Sequence, residues 1–214
     1  MIPNETTLRD RLERGLAELG LDVTPERRER LLALVGLLHK WNRAYNLTAV
    51  RDPEEMVARH LLDSAAVLPF VKGPSLLDVG AGPGLPGLVL AILAPELEVT
   101  LLDSNGKKVR FQRQAVMELG LERVTPVQAR VEAFEAPAEG FDQVISRAFA
   151  SLEDFIALSQ RLPGEGGQWL AMKGPAVEDE LAGLPEGVAA VACHSLRVPF
   201  SAGDRRLVIL ERAR

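Results

Sequence analysis

The chain holds one cysteine, Cys193, in 214 residues. That excludes a disulfide framework and a multi-cysteine metal site, and the lone thiol, set in a late apolar stretch, is expected in the core. The three histidines, His39, His60 and His194, lack metal-ligand spacing; His60 reads as a helix residue packed on a sheet. No Gly-x-Ser-x-Gly elbow and no Walker loop occurs, which removes the nucleophile-elbow and P-loop readings. No run approaches the ~20 apolar residues of a membrane span. The charged first ten residues have no signal-peptide pattern, so a cytoplasmic protein with no membrane partner is expected. Basic charge is not in excess: 25 Lys and Arg stand against 30 Asp and Glu, a net charge of −5. Any nucleic-acid surface must therefore be a local patch. What is present, 47% hydrophobic residues, suffices for one sizeable core, hence a catalytic domain with an appendage.

The first third is helical in pattern. Leu8, Leu12, Leu16 and Leu19 recur at helix spacing. Thr24-Pro25-Glu26 supplies an N-cap, a first-turn proline and a first-turn acid, and Leu31, Leu34, Val35, Leu38 and Trp41 follow as one apolar face. Asp52-Pro53-Glu54-Glu55 starts another helix, expected to run to about Val67. Residues 1–70 are thus expected to form a helical appendage covering one side of a sheet, and 71–214 the domain that carries the chemistry.

The sharpest feature is Leu76-Leu77-Asp78-Val79-Gly80-Ala81-Gly82-Pro83-Gly84-Leu85-Pro86-Gly87, followed by the apolar run Leu88 to Leu93. It reads as strand, glycine turn and helix, the entrance of a doubly wound nucleotide-binding fold. The turn formally matches G-x-G-x-x-G, which by itself is a weak dinucleotide signal. Asp78, expected at the mouth of the turn, argues the other way: a carboxylate repels pyrophosphate and attracts a cation. Two prolines also remove N–H groups that a phosphate would use. S-adenosylmethionine, with an ammonium and a sulfonium and no phosphate, fits better. Asp103 ends the next strand at about the spacing of the acid that takes ribose hydroxyls. The cofactor set from this pattern is Asp78, Gly82, Gly84 and Asp103; the alternative is a tight turn with both acids as solvated strand ends.

Strands are expected at Leu76–Val79, Val99–Asp103, Val124–Gln128, Gln143–Arg147, Gln168–Lys173, Val188–Val198 and Leu207–Glu211, with helices between the first five. That is βαβ repetition and a largely parallel sheet. Pro199 to Arg206 leaves room only for a hairpin, so the last pair is expected antiparallel. The fold class is α/β: a seven-stranded, Rossmann-like sheet of the S-adenosylmethionine-dependent methyltransferase type, with a final antiparallel hairpin and preceding helices.

Ligands of such sheets sit at the strand carboxyl ends. Besides the glycine turn and Asp103, those ends carry Arg130, Val131 and Glu132, then Arg147, then Lys173. Val131 and Glu132 fall where an adenine is held; a solvated helix-start acid is the alternative for Glu132. An arginine ending a central strand is costly unless paired, so Arg147 reads as functional or as the partner of a structural acid. Lys107, Lys108, Arg110 and Arg113 form a run without an acid at an expected helix start, where basic charge opposes the helix dipole. Phosphate contact is one reason for it, a solvated face the other. No Pro-Cys pair for cytosine-C5 attack and no Pro-Pro-Tyr or Pro-Pro-Phe run for adenine-N6 chemistry is present.

His39-Lys40-Trp41-Asn42-Arg43-Ala44-Tyr45-Asn46-Leu47-Thr48, Arg59-His60-Leu61-Leu62-Asp63-Ser64, the glycine segment, Leu101-Leu102-Asp103-Ser104 and Ser146-Arg147-Ala148-Phe149-Ala150 together closely resemble the RsmG (GidB) family, bacterial methyltransferases of small-subunit ribosomal RNA. The resemblance implies methyl transfer from S-adenosylmethionine to N7 of a guanine in the 530 loop of 16S rRNA, free or in the small subunit, by a protein expected to be monomeric. It implies cofactor contacts at Gly80, Leu85, Val131, Glu132 and Arg147. Asn46, Arg130, Lys173 and the Lys107–Arg113 run become candidates for RNA handling, and Arg147, Lys173 and Asn46 for catalytic roles. A methyltransferase of a protein or small molecule, which the acidic net charge suits, stays open, as does a non-catalytic or NAD-type nucleotide-binding domain.

Overall fold

Strand alternation sorts the sheet's side chains into two cores. In β1 (Ser75–Val79), Leu76 faces one side and Leu77 and Val79 the other; β2 (Glu98–Asp103) likewise divides Val99 and Leu101 from Leu102. This computed structural model describes residues 5–147, 149, 151–175 and 177–213; Ala148 and Ala150 of the Ser146–Ala150 motif lie outside them.

One core is shared by the sheet and the N-terminal helices α1 (Glu5–Glu18) and α2 (Pro25–Tyr45), together with α5 (Gly87–Leu93) and α6 (Gly106–Leu119). Leu8, Leu12 and Leu16 of α1 are buried in the same cluster as Leu76, Leu170 and Leu207. The caps follow local chemistry: Thr24 accepts from the Arg27 N–H, and Asn46 closes α2 at φ 50, a left-handed position that asparagine tolerates. The buried Asn42 binds the Val50 carbonyl and the Thr48 N–H, tying the next turn to α2.

The helix expected from Asp52 to Val67 exists as a broken path: α3 (Pro53–Met56), a π-helical turn (Val57–Leu62) and α4 (Asp63–Ala65). The Asp63 N–H reaches back to the Ala58 carbonyl, one residue further than in an α-helix. Such insertions cluster at functional sites, and this one redirects Asp63.

The sheet order is β3-β2-β1-β4-β5-β7-β6, with β3 (Val124–Gln128), β4 (Phe141–Ser146), β5 (Pro163–Lys173), β6 (Val188–Leu196) and β7 (Arg205–Arg212). The first five strands run parallel and β7 pairs antiparallel with both β5 and β6. The last strand is thus inserted inside the sheet. Burial explains it: Leu207, Val208, Ile209 and Leu210 are buried on both faces, as an interior strand requires, while β6 alternates and stays exposed as an edge. Cys193 lies on that edge and is exposed, contrary to the core position expected for it. The other core holds α7 (Leu152–Ser159) and α8 (Val177–Leu181) against Leu77, Val144 and Trp169. No full helix joins β3 to β4, only a 3₁₀ turn at Val131–Ala133; Pro137 and Gly140, at φ 71, end any helix there.

Candidate active site

The glycine turn is closed upon itself. Gly80 and Ala81 N–H groups bond the Leu102 carbonyl at 2.8 and 3.1 Å, Gly84 and Leu85 bond the Ala81 carbonyl, and Leu88 bonds that of Gly84. The Gly82 N–H donates to Asp103 Oδ2 and the Gly87 N–H to Asp78 Oδ2, each at 2.8 Å. Pro83 and Pro86 have no N–H. Every donor from Gly80 to Leu88 is therefore satisfied inside the protein, and a pyrophosphate has nothing to bind. Glycine is required by approach as well as by φ: a Cβ on Gly87 would overlap the Leu101 side chain and stand 3.0 Å from Asp78 Oδ2.

Asp78 does not sit at the mouth of the turn, as expected, but beneath it, with no exposed surface. Its position in β1 shares parity with Leu76, so it points under α5. Burial pushes its carboxyl up to about 7 against the opposing effect of the Gly87 N–H. Its Oδ1 and the Oε1 of buried Gln112 lack hydrogen-bond partners among the described residues. Gln112 Nε2 donates to the Gly82 carbonyl at 2.7 Å.

Asp103 reaches the surface of a 270 Å³ cavity lined also by Val79, Gly80, Lys108, Arg130, Val131 and Glu132. Its Oδ1 takes the Asn105 N–H at 2.8 Å, which fixes the carboxylate and leaves lone pairs for hydroxyl donors. An acid for ribose hydroxyls, apolar Val131 for an adenine face and a turn with no phosphate donors fit S-adenosylmethionine. Gly82, Gly84 and Leu85, expected to touch the cofactor, are not among the residues that line this cavity. Gly82 N–H holds Asp103, while Gly84 (φ 86) and the buried Leu85 shape the turn.

A second cavity, of 320 Å³, opens across Phe149, which lines both. It contains Asp63, Arg147, Lys173, Glu180, Arg205 and Arg206. Asp63, almost fully buried, pairs with Arg147 at 3.2 Å and Arg205 at 2.9 Å. Lys173 pairs with Glu180 at 3.0 Å. Arg147 thus has the structural acid that was its alternative reading, and still lines the cavity. Below it, His60 Nδ1 donates to the Arg59 carbonyl at 3.0 Å, and its Nε2 accepts from the Thr48 hydroxyl at 2.9 Å. Burial, with Arg147 nearby, holds the ring neutral with a pKa of about 4.

Of the expected residues, Gly80, Asp103, Arg130, Val131, Glu132 and Lys108 meet in one cavity, and Arg147 and Lys173 in the other. Lys108 lines the 270 Å³ cavity, whereas Lys107, Arg110 and Arg113 stay exposed along α6. Asn46 is exposed, accepts from Arg51 and serves as the α2 cap. Sequence reasoning assigned no role to Asp63, Gln112, Arg205 or Arg206. Asp63 had a visible signal, an acid between Leu62 and Ala65-Ala66 in an apolar helix; Gln112 had none.

A glycine turn shut to phosphate, on a sheet closed by an inserted antiparallel strand, places the chain among the S-adenosylmethionine-dependent methyltransferases. Solved structures agree on the fold. A predicted O-methyltransferase from Agrobacterium tumefaciens matches with a TM-score of 0.58 at 21% identity, over 72% of this chain and 81% of that one. TrmN from Thermus thermophilus matches at 0.56 and 20% identity, over 73% and 53%. The family model for rRNA small subunit methyltransferase G, GidB, matches residues 27–209. Ribosomal RNA small subunit methyltransferase G of Chromohalobacter salexigens is 66% identical over 203 residues, 95% of this chain and 97% of the relative. That of Salmonella arizonae is 52% identical over 94% and 97%. The chain belongs to the rRNA small subunit methyltransferase G family.

Proposed function

We propose that this methyltransferase modifies N7 of a guanine in the 530 loop of 16S rRNA, within the free RNA or the small subunit. The observation that carries the reading is the adjacency of two cavities across Phe149, one suited to the cofactor and one rich in cations. Bound S-adenosylmethionine supplies an electrophilic methyl on a sulfonium. Asp103 holds the ribose end, Val131 and Glu132 the adenine end, and Gly80 the wall between, its turn continued by Gly82, Gly84 and Leu85 and braced by Asp78 through Gly87.

Guanine N7 bears a lone pair and no proton, so no general base is needed. The side chains here match that requirement: His60 is neutral and engaged by Thr48 and Arg59, and Asp78 is buried under the turn. Catalysis then rests on holding N7 in line with the methyl group. Arg147 and Lys173 act on the RNA, away from the N7 edge, where the product's positive charge develops. Arg130, Lys107, Lys108, Arg110, Arg113 and Asn46 are assigned to RNA approach, with 1–70 as the helical segment and 71–214 as the catalytic unit of a cytoplasmic monomer. No helix among the described residues is long and apolar enough to cross a membrane.

The test is chemical. N7-methylguanine opens under borohydride, and aniline then cuts the strand there. Cells with the protein should show the cut in the 530 loop and cells without it should not. The transfer rate should stay level from neutral to mildly alkaline pH. A cut that persists without the protein rejects the proposal.

A further inference from the structure

The second cavity carries more than the reaction explains. Four cationic side chains, Arg147, Lys173, Arg205 and Arg206, line it against two carboxylates, Asp63 and Glu180. Glu180 is committed to Lys173 and to the Leu152 N–H, at 3.0 and 2.6 Å. Asp63 alone serves two guanidinium groups, so one positive charge at that corner is uncancelled. Arg206 pairs with Glu178 through Nη2, while its Nε is buried without a hydrogen-bond partner among the described residues.

Topology puts these groups together. Because β7 runs antiparallel to β5, its first residues arrive at the carboxyl end of β5, with Arg206 opposite Lys173. The π-turn then brings Asp63 to Arg205 and to Arg147 after β4. The cavity therefore lies over β4, β5 and β7, outward of the glycine turn after β1. Methylation at N7 makes the base cationic, so a cation-rich lining is the wrong surface for the N7 edge. It is the right one for an oxyanion, and paired guanidinium groups suit a phosphate in particular.

We propose that this cavity is the subsite for a phosphate of the target nucleotide, bound by Arg205 and Arg206 with Arg147, and that Asp63 is the positioning residue that aims Arg147 and Arg205. The proposal rests on the rRNA reading above. The other anion of matching chemistry is the methionine carboxylate of the cofactor, which would have to extend from the glycine turn past β4.

The experiment uses the full chain saturated with S-adenosylhomocysteine and titrates guanosine, guanosine 5′-monophosphate and guanosine 3′-monophosphate by calorimetry. One monophosphate should bind at least about tenfold tighter than guanosine, as a charge-assisted hydrogen bond allows. Arg205→Gln should bring that ratio close to one and leave S-adenosylhomocysteine affinity unchanged. Asp63→Asn should lower the ratio in part, also at constant S-adenosylhomocysteine affinity, which a general loss of folding would not produce. Equal or undetectable binding of all three, or a ratio that survives Arg205→Gln, overturns the proposal. So does a fall in S-adenosylhomocysteine affinity at unchanged ratio, which would assign the cavity to the carboxylate. Failure of the rRNA reading is separate, since it shows as a missing borohydride-aniline cut with the wild-type protein.

Discussion

The glycine turn, whose Gly80 lines the cavity proposed for the cofactor, is held by main-chain donors, and the cationic cavity nearby by side-chain ion pairs. Around the first, nine consecutive residues bond every available N–H internally, two of them to the strand-end acids Asp78 and Asp103. Around the second, Arg147 after β4 and Arg205 of β7 meet over the buried carboxylate of Asp63, and Lys173 of β5 pairs with Glu180. The first construction resists substitution because the chain itself fills the space. The second is adjustable, since guanidinium groups can be replaced without moving the main chain. A methyltransferase can thus keep its cofactor wall and change what it presents beside it.

The difference predicts unequal tolerance at glycines. Gly87→Val forces a side chain into Leu101 and Asp78, and is expected to cost about 3 kcal/mol and abolish cofactor binding. Gly174 lines the cationic cavity, and a Cβ there meets nothing within 4 Å. Gly174→Ala should stay within about 0.5 kcal/mol of the parent. Thermal unfolding and calorimetry on both variants check the pair; equal losses would erase the distinction.

Opposite pH slopes sharpen the comparison. Asp78, raised to about 7, prefers to be protonated in the fold. Its contribution to stability is complete below the ordinary carboxylate range and is lost as pH rises through about 7. His60, lowered to about 4, prefers to be neutral. Its contribution is complete above about 6.5 and is lost as pH falls through about 4. Between these values the two offset each other. Urea midpoints across that window should rise with pH in Asp78→Asn, where His60 acts alone, and fall in His60→Gln. Profiles unchanged from the parent in both variants would remove these groups as the cause.

The smallest effect is expected on α6. Lys107, Arg110 and Arg113 are exposed there, outside both cavities. Replacing all three by Gln should leave cofactor affinity intact. It should also flatten the salt dependence of rRNA binding by about 0.7 in log–log slope for each phosphate that the variant no longer neutralises. An unchanged slope would make this run a solvated face.

Much of the fold was readable in order along the chain. The caps at Thr24 and Asp52 start helices where expected, and β3 has the expected bounds. These are local signals: a proline, an acid or an alternation acts within a few residues. The break at Val57–Leu62 was not readable, because a π-turn has no distinctive composition and is stabilised by what Asp63 reaches. The inserted β7 was readable only in part. Its unbroken apolar run marks an interior strand, but which neighbours it takes depends on the edge left open by β5.

The sequence by itself determined the glycine turn, its two strand-end acids and the parallel βαβ order. Backbone freedom and hydrogen-bond chemistry at those positions admit few other outcomes. Only the tertiary structure decided that Asp78 braces the turn from below, and that Asp63, Arg147, Arg205 and Arg206 form one site. Those side chains come from separate parts of the chain, and their meeting depends on strand order and direction, which no local pattern encodes.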